Sequence, residues 1–461
     1  MSADGGQRRI TNRLFYWIAG GCGFATGVVG AGFHLAVDRL LQWPHWLADR
    51  LGTGPLTIAA GAAVAALAVT LAYLLTRYLA PETAGSGVPE VEGALEGVRE
   101  VRWRRVLPVK FVGGVLSLSA GIVGGREGPT IHIGASIGAA LAEWLRLDKM
   151  DFHALLAAGA AAGLASAFNA PLAAVLFVIE ETRRQFRYTF RSYVAVIVAS
   201  AASAFGMELV GGTAPQFRIE TDALPLVMLP TFMLLGAALG VLGIAFNKTL
   251  VMALDWRARA FGRVPVLYAV IVGAAIGALA MVVPMAVGGG ERLIPEMPVA
   301  DLPLKMLVLI AVVRFVGTMA SYPVGVPAGI FSPMLTLATT VGLIFGLLVE
   351  EALVRASFAV PPLTGAAFAV AAMGGLFSST IRAPLVGVVL VVELTGAFEL
   401  ILPLMVTCVT AHVIAQVLGG RPIYEVLFER SERLAGRTPP VRSVAASSPV
   451  GIDVPPHPDQ R

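Results

Sequence analysis

The sequence predicts an all-α polytopic membrane protein, and its composition, apolar segments and glycine and proline content all indicate that class. Hydrophobic residues make up 56% of the 461 residues and charged residues only 14%, and the mean hydropathy is +0.78. Soluble domains average roughly 45–50% apolar and about 25% charged residues. Apolar stretches of about 20 residues, long enough to cross a bilayer as a helix, recur along the chain. The 51 glycines and 29 prolines predict that several of these helices are short or broken.

The apolar segments form two halves, residues 14–211 and 224–430. The first half holds the segments 14–42, 55–80, 106–142, 154–180 and 192–211. The second half holds the segments 224–252, 265–288, 303–320, 329–356, 363–393 and 400–418. A polar connecting segment, 212–223, separates them. Residues 1–13 form a polar segment that leads into the first span without an obvious signal-peptide cleavage site, and the Pro/Ser-rich tail at 431–461 is expected to be disordered.

Basic residues lie mainly in the short loops between apolar segments, which is the pattern of cytoplasmic loops. The clusters are Arg8, Arg9 and Arg13; Arg99, Arg102, Arg104 and Arg105; Arg183, Arg184, Arg187 and Arg191; Arg257, Arg259 and Arg263; and Arg430, Arg433 and Arg437. Because clusters precede the first span and follow the last, we expect both termini in the cytoplasm and an even number of crossings. The same distribution accounts for the net charge of +4, so no nucleic-acid partner is expected.

Matching motifs occur in the same order in both halves, which predicts an internal repeat. Gly125-Arg-Glu-Gly-Pro129 aligns with Gly329-Ile-Phe-Ser-Pro333. An Ala-Pro-Leu motif followed at equal distance by a glutamate also occurs twice, at 170–172 with Glu180 and at 383–385 with Glu393. Repeated halves with Gly/Pro-interrupted segments at matching positions are typical of transporters whose site lies near the midplane. These residues alone do not indicate whether the repeats are parallel or inverted.

Glu127 lies in a long apolar stretch, residues 106–148, where a carboxylate is costly. A charge at bilayer depth costs at least about 3 kcal/mol on insertion scales and is found where it lines a cavity or serves transport. The glycines and proline of Gly125–Pro129 indicate an interrupted helix whose free backbone N–H groups can meet an anion. A titratable acid beside such a site predicts a proton-coupled anion pathway. The alternative is a structural carboxylate paired with Arg126.

Three further motifs contain groups that suit an anion. Ser86 lies in Gly85-Ser-Gly-Val-Pro89, where the glycines permit a tight turn and the proline can open a helix. The backbone N–H groups of Ile330 and Phe331 could point at an anion from a helix start. Tyr424 places a hydroxyl at the start of a helix just after the last span. Each motif alone also fits a plainer interpretation, as a turn, a kink or an interfacial tyrosine.

Together these stretches resemble the CLC family of chloride channels and proton-coupled chloride exchangers. The matching stretches are GSGVPEVEGALEG at 85–97, LPVKFVGG at 107–114, GGREGPTIHIG at 124–134, FNAPLAAVLFVIEE at 168–181, GVPAGIFSP at 325–333, APLVGVVLVVELT at 383–395 and LGGRPIYEVL at 418–427. The resemblance covers about residues 14–430, which is essentially the whole membrane region. Several long motifs in the right order make it specific.

The resemblance implies a homodimer in the lipid bilayer, with one pathway per subunit and two inverted halves of short, tilted helices. It also implies that the hydroxyls of Ser86 and Tyr424 and the N–H groups of Ile330 and Phe331 bind chloride. Glu127 would then be the gating carboxylate. A deprotonated Glu127 would occupy an anion site as a tethered competitor, and protonation would release it.

A second acid decides between exchange and passive conduction. Family exchangers carry a glutamate that transfers protons toward the cytoplasm, where channels typically carry an apolar residue. Alignment through the FNAPL motif puts Glu181 in that place, with Glu180 beside it as a residue that could share the role. The resemblance therefore implies a chloride/proton exchanger, and a passive voltage- or pH-gated chloride channel is the alternative. Helix-end pairing of these acids with Arg183 and Arg184 is the plainer interpretation.

Other classes of protein fit the sequence less well. A rhomboid-like protease would need Gly-x-Ser-Gly, but residue 84 is alanine, and no His-Glu-x-x-His zinc motif is present. Paired intramembrane aspartates are also missing, so we expect a transporter and not an enzyme, with no metal or cofactor. The nucleotide-binding pair common in eukaryotic members does not follow the membrane region. We therefore expect a prokaryotic-type protein in a bacterial inner membrane.

Overall fold

The computed structural model describes residues 10–182, 189–211, 217–222, 224–300, 302–357 and 364–436. Helices dominate these residues, and β-pairing within them is limited to two isolated bridges. The α-helices in chain order are α1 Asn12–Leu40, α2 Trp43–Leu51, α3 Pro55–Leu79, α4 Val88–Leu95, α5 Trp103–Ser119, α6 Glu127–Trp144, α7 Lys149–Phe168, α8 Pro171–Thr182, α9 Phe190–Gly211, α10 Leu229–Ala260, α11 Pro265–Val282, α12 Leu293–Glu296, α13 Leu304–Ser321, α14 Phe331–Arg355, α15 Thr364–Ile381, α16 Pro384–Thr395, α17 Ile401–Val417 and α18 Ile423–Leu434.

The chain is an integral membrane protein of the all-α class. Within the described ranges, ten helical segments are long and apolar enough to cross a membrane. Nearly all of α7 and α15 is buried inside the protein, whereas most other spans keep a broad exposed apolar surface. These two helices therefore form the centre of the molecule, and the others separate them from lipid. The predicted all-α membrane fold is confirmed.

Three apolar segments of the sequence are each divided into two helices, and the sequence predicts the break in only one of them, at Gly125–Pro129. The segment 106–142 divides between α5 and α6, 154–180 between α7 and α8, and 363–393 between α15 and α16. Left-handed residues end α7 and α15, at Asn169 (φ 49°) and Arg382 (φ 75°). A proline then opens the next helix, where its missing N–H group costs nothing. Hydropathy alone could not locate these breaks, because both helices of each pair are apolar.

Equivalent helices of the two halves run antiparallel, which identifies the repeat as inverted. At one end of the α8–α16 pair, the Glu393 carboxylate accepts hydrogen bonds from the backbone N–H groups of Leu172 (3.0 Å) and Ala173 (2.6 Å). At the other end, Glu180 accepts one from the N–H group of Val386 (3.1 Å). Each helix thus caps the N-terminus of the other with its own C-terminal glutamate. A repeat axis along the membrane normal would leave equivalent helices parallel.

A second pair of equivalent residues meets at the centre of the molecule. Gly125 and Gly329 form an antiparallel bridge, with N–H to C=O distances of 2.9 and 2.7 Å in the two directions. These glycines open the two motifs that the sequence aligns with each other. Their symmetrical pairing brings the first residues of α6 and α14 to one point.

Several predicted boundaries lie wholly or partly outside the described residues. Helix α9 ends at Gly211 and α10 begins at Leu229, and only residues 217–222 and 224–228 are described between them. Helix α18 continues to Leu434, past the predicted end of the second half at 430. The predicted disordered tail lies outside the described residues from position 437 onward, as do Arg183 and Arg184.

Candidate anion and proton site

Backbone hydrogen bonds join three glycine-containing loops, those at Gly85, Gly125 and Gly329, into one frame. The N–H group of Gly85 donates to the carbonyl of Val326 (3.1 Å), and its own carbonyl accepts from Ala328 (3.2 Å). The hydrogen bonds between Gly125 and Gly329 attach the loop at Gly125 to the same extended segment, residues 326–329. Motifs that are up to about 240 residues apart in sequence therefore share one centre, which follows from the inverted repeat.

Lys110 holds this frame from within the protein. Its side chain is fully buried, and Nζ donates to the carbonyl oxygens of Thr83 (3.0 Å) and Gly85 (2.8 Å). These bonds fix the backbone immediately before Ser86. They also put a cationic group next to the loop, which favours an anion nearby.

Four helices begin around the centre. Helix α4 begins at Val88, α6 at Glu127, α14 at Phe331 and α18 at Ile423. The first N–H groups of a helix have no partner within the helix, and the helix dipole gives that end a partial positive charge. Helix starts that face one point therefore create an anion site from backbone groups.

Glu127 already places an anion at this point. Its side chain is 1% exposed, and Oε1 accepts a hydrogen bond from the N–H group of Phe331 (2.6 Å) and a longer one from Ser332 (3.4 Å). Oε2 contacts the hydroxyl of Ser332 (3.0 Å). A side chain on Gly125 or Gly329 would meet this carboxylate, so glycine at both positions leaves room for it. The carboxylate of α6 thus caps α14.

The hydroxyls of Ser86 and Tyr424 lie beside this carboxylate and have no hydrogen-bond partner among the described residues. Both residues are at most 1% exposed. Buried polar groups are almost always hydrogen-bonded, because an unsatisfied one costs about 1–3 kcal/mol. Two orphaned donors beside helix N-termini fit a small anion.

Phe331 connects the anion site to the apolar core. Its ring lies 5.9 Å, centroid to centroid, from the ring of Tyr424. It also contacts Phe168, Phe177 and Phe377 at 6.3, 5.5 and 5.1 Å. Aromatic packing on all sides fixes the start of α14, and Ile330, which precedes it as the N-cap residue, is fully buried. The N–H groups at this helix start are therefore held in fixed positions.

The two acids at the end of α8 have different surroundings. Glu180 accepts the hydrogen bond from Val386 that caps α16. Glu181 is half-buried, and it lies within electrostatic range of the Tyr424 hydroxyl, as Glu127 does. Consecutive helical residues point about 100° apart, so the acid that does not cap α16 faces another direction. Tyr424 is therefore the group on which both Glu127 and Glu181 act.

Arg126 does not pair with Glu127, although it precedes it. Within the described part of the chain, its ion pairs are with Asp38 and with Glu291, the latter at 2.9 Å from Nε to Oε2. Its Nη1 also lies 3.3 Å from Nδ1 of His34. The alternative of a structural Arg126–Glu127 pair is therefore wrong. Two carboxylates other than Glu127 therefore neutralise this cation.

Sequence analysis did not identify Glu291 and Ser332 as site residues. Ser332 contacts Glu127 and also Oε1 of Glu291 (3.1 Å). One signal was present, since Glu291 is a charged residue directly after Gly288-Gly-Gly290 at the end of an apolar segment. Nothing in the spacing indicates that this turn, 164 positions after Glu127, folds against α14.

The fold and the candidate site are those of a secondary transporter. Such proteins have two inverted halves, divided helices, and helix starts that meet at one point, and here the helix start at Phe331 meets a buried carboxylate. Residues 68–416, more than half of the chain, match the family described as Voltage gated chloride channel. The chain belongs to this family.

Relatives in the family are similar over most of their length. The H(+)/Cl(-) exchange transporter ClcA of Vibrio parahaemolyticus is 42% identical over 422 residues, covering 89% of this chain and 88% of the relative. ClcA of Salmonella typhimurium is 39% identical over 442 residues, covering 92% and 90%.

Solved structures of the same fold are also similar. A slow cyanobacterial Cl-/H+ antiporter superposes with a TM-score of 0.87 at 36% identity, covering 93% of this chain and all of that one. A eukaryotic CLC transporter superposes with a TM-score of 0.75 at 24% identity, covering 91% and 75%, and this likeness concerns the fold alone.

Proposed function

We propose that this protein is a secondary active transporter that exchanges chloride for protons across the membrane. Glu127 is the gate and the proton acceptor on one side, and Glu181 is the proton-transfer residue on the other. The observation that carries the proposal is the position of the Glu127 carboxylate, which receives the N–H group of Phe331 as a bound anion would. The relatives that are named proton/chloride exchangers support the same function.

Competition for the start of α14 couples the two ions. A deprotonated Glu127 and a chloride ion are both anions, and both need the N–H groups at this point. Protonation removes the charge and weakens the attraction to the helix start, so the side chain leaves and chloride takes its place. One group thus both blocks the anion and carries the proton.

Chloride binds next to this position, between the hydroxyls of Ser86 and Tyr424. Both are buried donors without a partner among the described residues, and the N–H groups around Ile330 and Phe331 add a fixed positive potential. The cations Lys110 and Arg126 are engaged elsewhere, since Lys110 donates to backbone carbonyls and Arg126 is ion-paired. Moderate binding of this kind permits both entry and exit.

Glu181 supplies the second step of the proton route. It shares its electrostatic partner, Tyr424, with Glu127. Glu180 is the competing candidate, but its carboxylate is engaged at the start of α16. We therefore assign proton transfer to Glu181 and a capping role to Glu180.

The protein functions in this proposal as a homodimer in a bacterial inner membrane, with both termini in the cytoplasm. The orientation rests on the arginine clusters of the loops. The transported species are chloride and protons, and the bilayer is the solvent of the exposed apolar helices.

Flux measurements in liposomes test the exchange directly. We expect the wild-type protein to move chloride and protons in opposite directions when a chloride gradient is imposed and the potential is clamped. Glu127→Gln mimics the protonated gate and Glu181→Gln removes the inner acid, so both should move chloride without protons. A chloride electrode and a pH electrode in the same vessel record both ions.

Glu180→Gln is the matched control for Glu181→Gln, because it changes the neighbouring acid. It should keep proton movement. A wild-type protein that moves chloride but no protons would establish the passive channel instead. Coupled transport by Glu181→Gln, together with its loss in Glu180→Gln, would transfer the inner role to Glu180.

A further inference from the structure

A cavity of about 810 Å³ opens near Glu127 but does not include it among its lining residues. His34, Asp38, Arg126, Glu291, Arg292 and Glu296 are among the residues that line it. His34 and Asp38 lie near the C-terminal end of α1, a helix of 29 residues and therefore about 43 Å long. This cavity, the vestibule, is thus on the membrane face opposite the N-terminal segment. Glu127 is 1% exposed, so protons from the vestibule need a route to it.

Ser332 lies between Glu127 and the vestibule. Its hydroxyl is 3.0 Å from Oε2 of Glu127 and 3.1 Å from Oε1 of Glu291. Ser332 is fully buried, whereas the side chain of Glu291 is 13% exposed. Oε1 of Glu291, the Ser332 hydroxyl and Oε2 of Glu127 therefore form a continuous polar path from the vestibule to the gating carboxylate.

The hydroxyl carries one hydrogen but contacts two carboxyl groups. It can donate to only one of them, and its second contact is a hydrogen bond only if the other carboxyl donates to the serine oxygen. Both contacts are satisfied when Glu127 and Glu291 together hold one proton. Two acids arranged around a shared hydroxyl are a proton-transfer geometry.

We infer that Glu291 and Ser332 form a proton relay between the vestibule and Glu127. The inference rests on the proposed exchange function, and it adds two residues to the route of the proton. Glu291 acts through Ser332 as a positioning and relay residue and does not touch chloride.

The transfer balances without any other reactant. A protonated Glu291 gives its hydrogen to the oxygen of Ser332 while Ser332 gives its own hydrogen to Oε2 of Glu127. Glu291 becomes a carboxylate, Glu127 becomes a neutral acid, and Ser332 stays a neutral hydroxyl. Glu291 then takes a new proton from the solvent of the vestibule, and the serine hydroxyl turns back.

The charges around Glu291 engage its Oε2 and leave Oε1 to exchange a proton with Ser332. Arg126 holds Oε2, and the same arginine also pairs with Asp38 and contacts His34 on α1. Arg314 on α13 acts on Glu291 electrostatically and donates to the carbonyl of Gly288 (2.6 Å), which fixes the turn. Oε1 therefore faces Ser332 in a defined position. Arg292 and Glu296 are the remaining charges on the same side of the vestibule.

A structural role for Glu291 predicts different behaviour. If Glu291 served only to hold Arg126, the effects of Glu291→Gln and Ser332→Ala on proton movement would be independent and would add in the double variant. If Glu291 acted on the anion path, its replacement would slow chloride movement even when the gate is already neutral. Both alternatives can be separated from a relay by combining variants.

Glu291→Gln and Ser332→Ala are therefore measured in liposomes with the vestibule side facing a varied pH. Each should lower the rate of proton-coupled transport several-fold and move the pH profile on the vestibule side, and the double variant should be no slower than either single one. Glu291→Asp should restore part of the rate. Glu296→Gln, which changes another acid of the vestibule, should behave as wild type.

Glu291→Gln in the Glu127→Gln background supplies the decisive control. Chloride flux through that background should be unaffected by it, because no proton has to reach residue 127 and Glu291 does not touch chloride. Equal slowing of chloride flux there would overturn the relay, as would unchanged proton transport in Ser332→Ala. Absence of proton movement in wild type would instead refute the exchange function itself.

Discussion

In the proposed chloride site, the backbone supplies most of the attraction for the anion, and single hydroxyls adjust it. A neutral donor contributes about 1 kcal/mol net of the water it replaces, whereas a buried donor left without a partner costs about 1–3 kcal/mol. Ser86 and Tyr424 are such donors, since each is buried and has no partner within the part of the chain that the structure describes. The helix starts supply a potential that no single side-chain change removes. Removal of one hydroxyl should therefore weaken chloride binding without abolishing it.

Tyr424→Phe tests this estimate at the residue scale. The substitution keeps the ring that packs on Phe331 and removes only the hydroxyl. We expect the chloride affinity to fall about fivefold, the equivalent of about 1 kcal/mol. Calorimetric titration with chloride in detergent measures the change.

Tyr73→Phe is the matched control, because Tyr73 also has a buried hydroxyl without a partner among the described residues but lies in α3. Its chloride affinity should equal that of the wild type. An unchanged affinity in Tyr424→Phe would remove this hydroxyl from the chloride site.

At the scale of elements, the gate depends on how closely α6 and α14 approach at their first residues. The three atoms nearest to a Cβ atom on Gly125 would all belong to the carboxyl group of Glu127, which is the movable end of a side chain. Gly125 is not in the left-handed region, so an alanine fits its backbone. We predict that Gly125→Ala displaces the carboxylate from α14. Chloride flux should persist, and the number of protons moved per chloride should fall toward that of Glu127→Gln.

Gly32→Ala on α1 provides the control for an added methyl group, because nothing lies within 4 Å of its Cβ position. Dual-electrode flux measurements should give wild-type coupling for this variant. Wild-type coupling in Gly125→Ala as well would contradict a gate that is held by that contact.

The reciprocal caps between α8 and α16 explain why glutamates occur at matching positions. Each of these 12-residue helices begins with N–H groups that have no partner within the helix. Glu393 and Glu180 satisfy these groups from the neighbouring helix. The two Ala-Pro-Leu motifs therefore belong to a pair of reciprocal helix caps, and the proposed proton-transfer role falls to Glu181, one residue after Glu180.

At the scale of the whole molecule, the sequence predicted the class, the repeat and the motifs, because hydropathy and motif order are local properties of the chain. The orientation of the halves was not predictable from these residues alone, since aligned motifs are compatible with a parallel or an inverted axis. The reciprocal caps at Glu180 and Glu393 show that α8 and α16 run antiparallel, and therefore that the repeat is inverted. Glu291 was missed for the same reason, because its role depends on the fold that places it against Ser332.

The surface of α8 and α16 favours a dimer. Each helix is about 18 Å long, too short for a hydrocarbon core of about 30 Å. Their equivalent leucines, Leu172 and Leu385, are 60% and 55% exposed at the helix starts. A second copy related by a twofold axis would cover both with the same surface. This argument supports the homodimer that the family resemblance implies.

Substitution of both leucines by tryptophan should separate the subunits, because two bulky rings on each copy prevent close packing at a twofold interface. The native cysteines, Cys22 and Cys408, are buried, so a fluorophore on Arg433→Cys at the exposed end of α18 can label each subunit once. Photobleaching in dilute liposomes should show two steps for wild type and one for Leu172→Trp/Leu385→Trp. Val282→Trp, an equally exposed position on α11 (61%), should keep two steps.

Because each subunit holds its own Glu127, Ser86 and Tyr424, the separated monomer should still exchange chloride for protons. Two steps in the double variant, or one step in wild type, would place the interface elsewhere or refute the dimer.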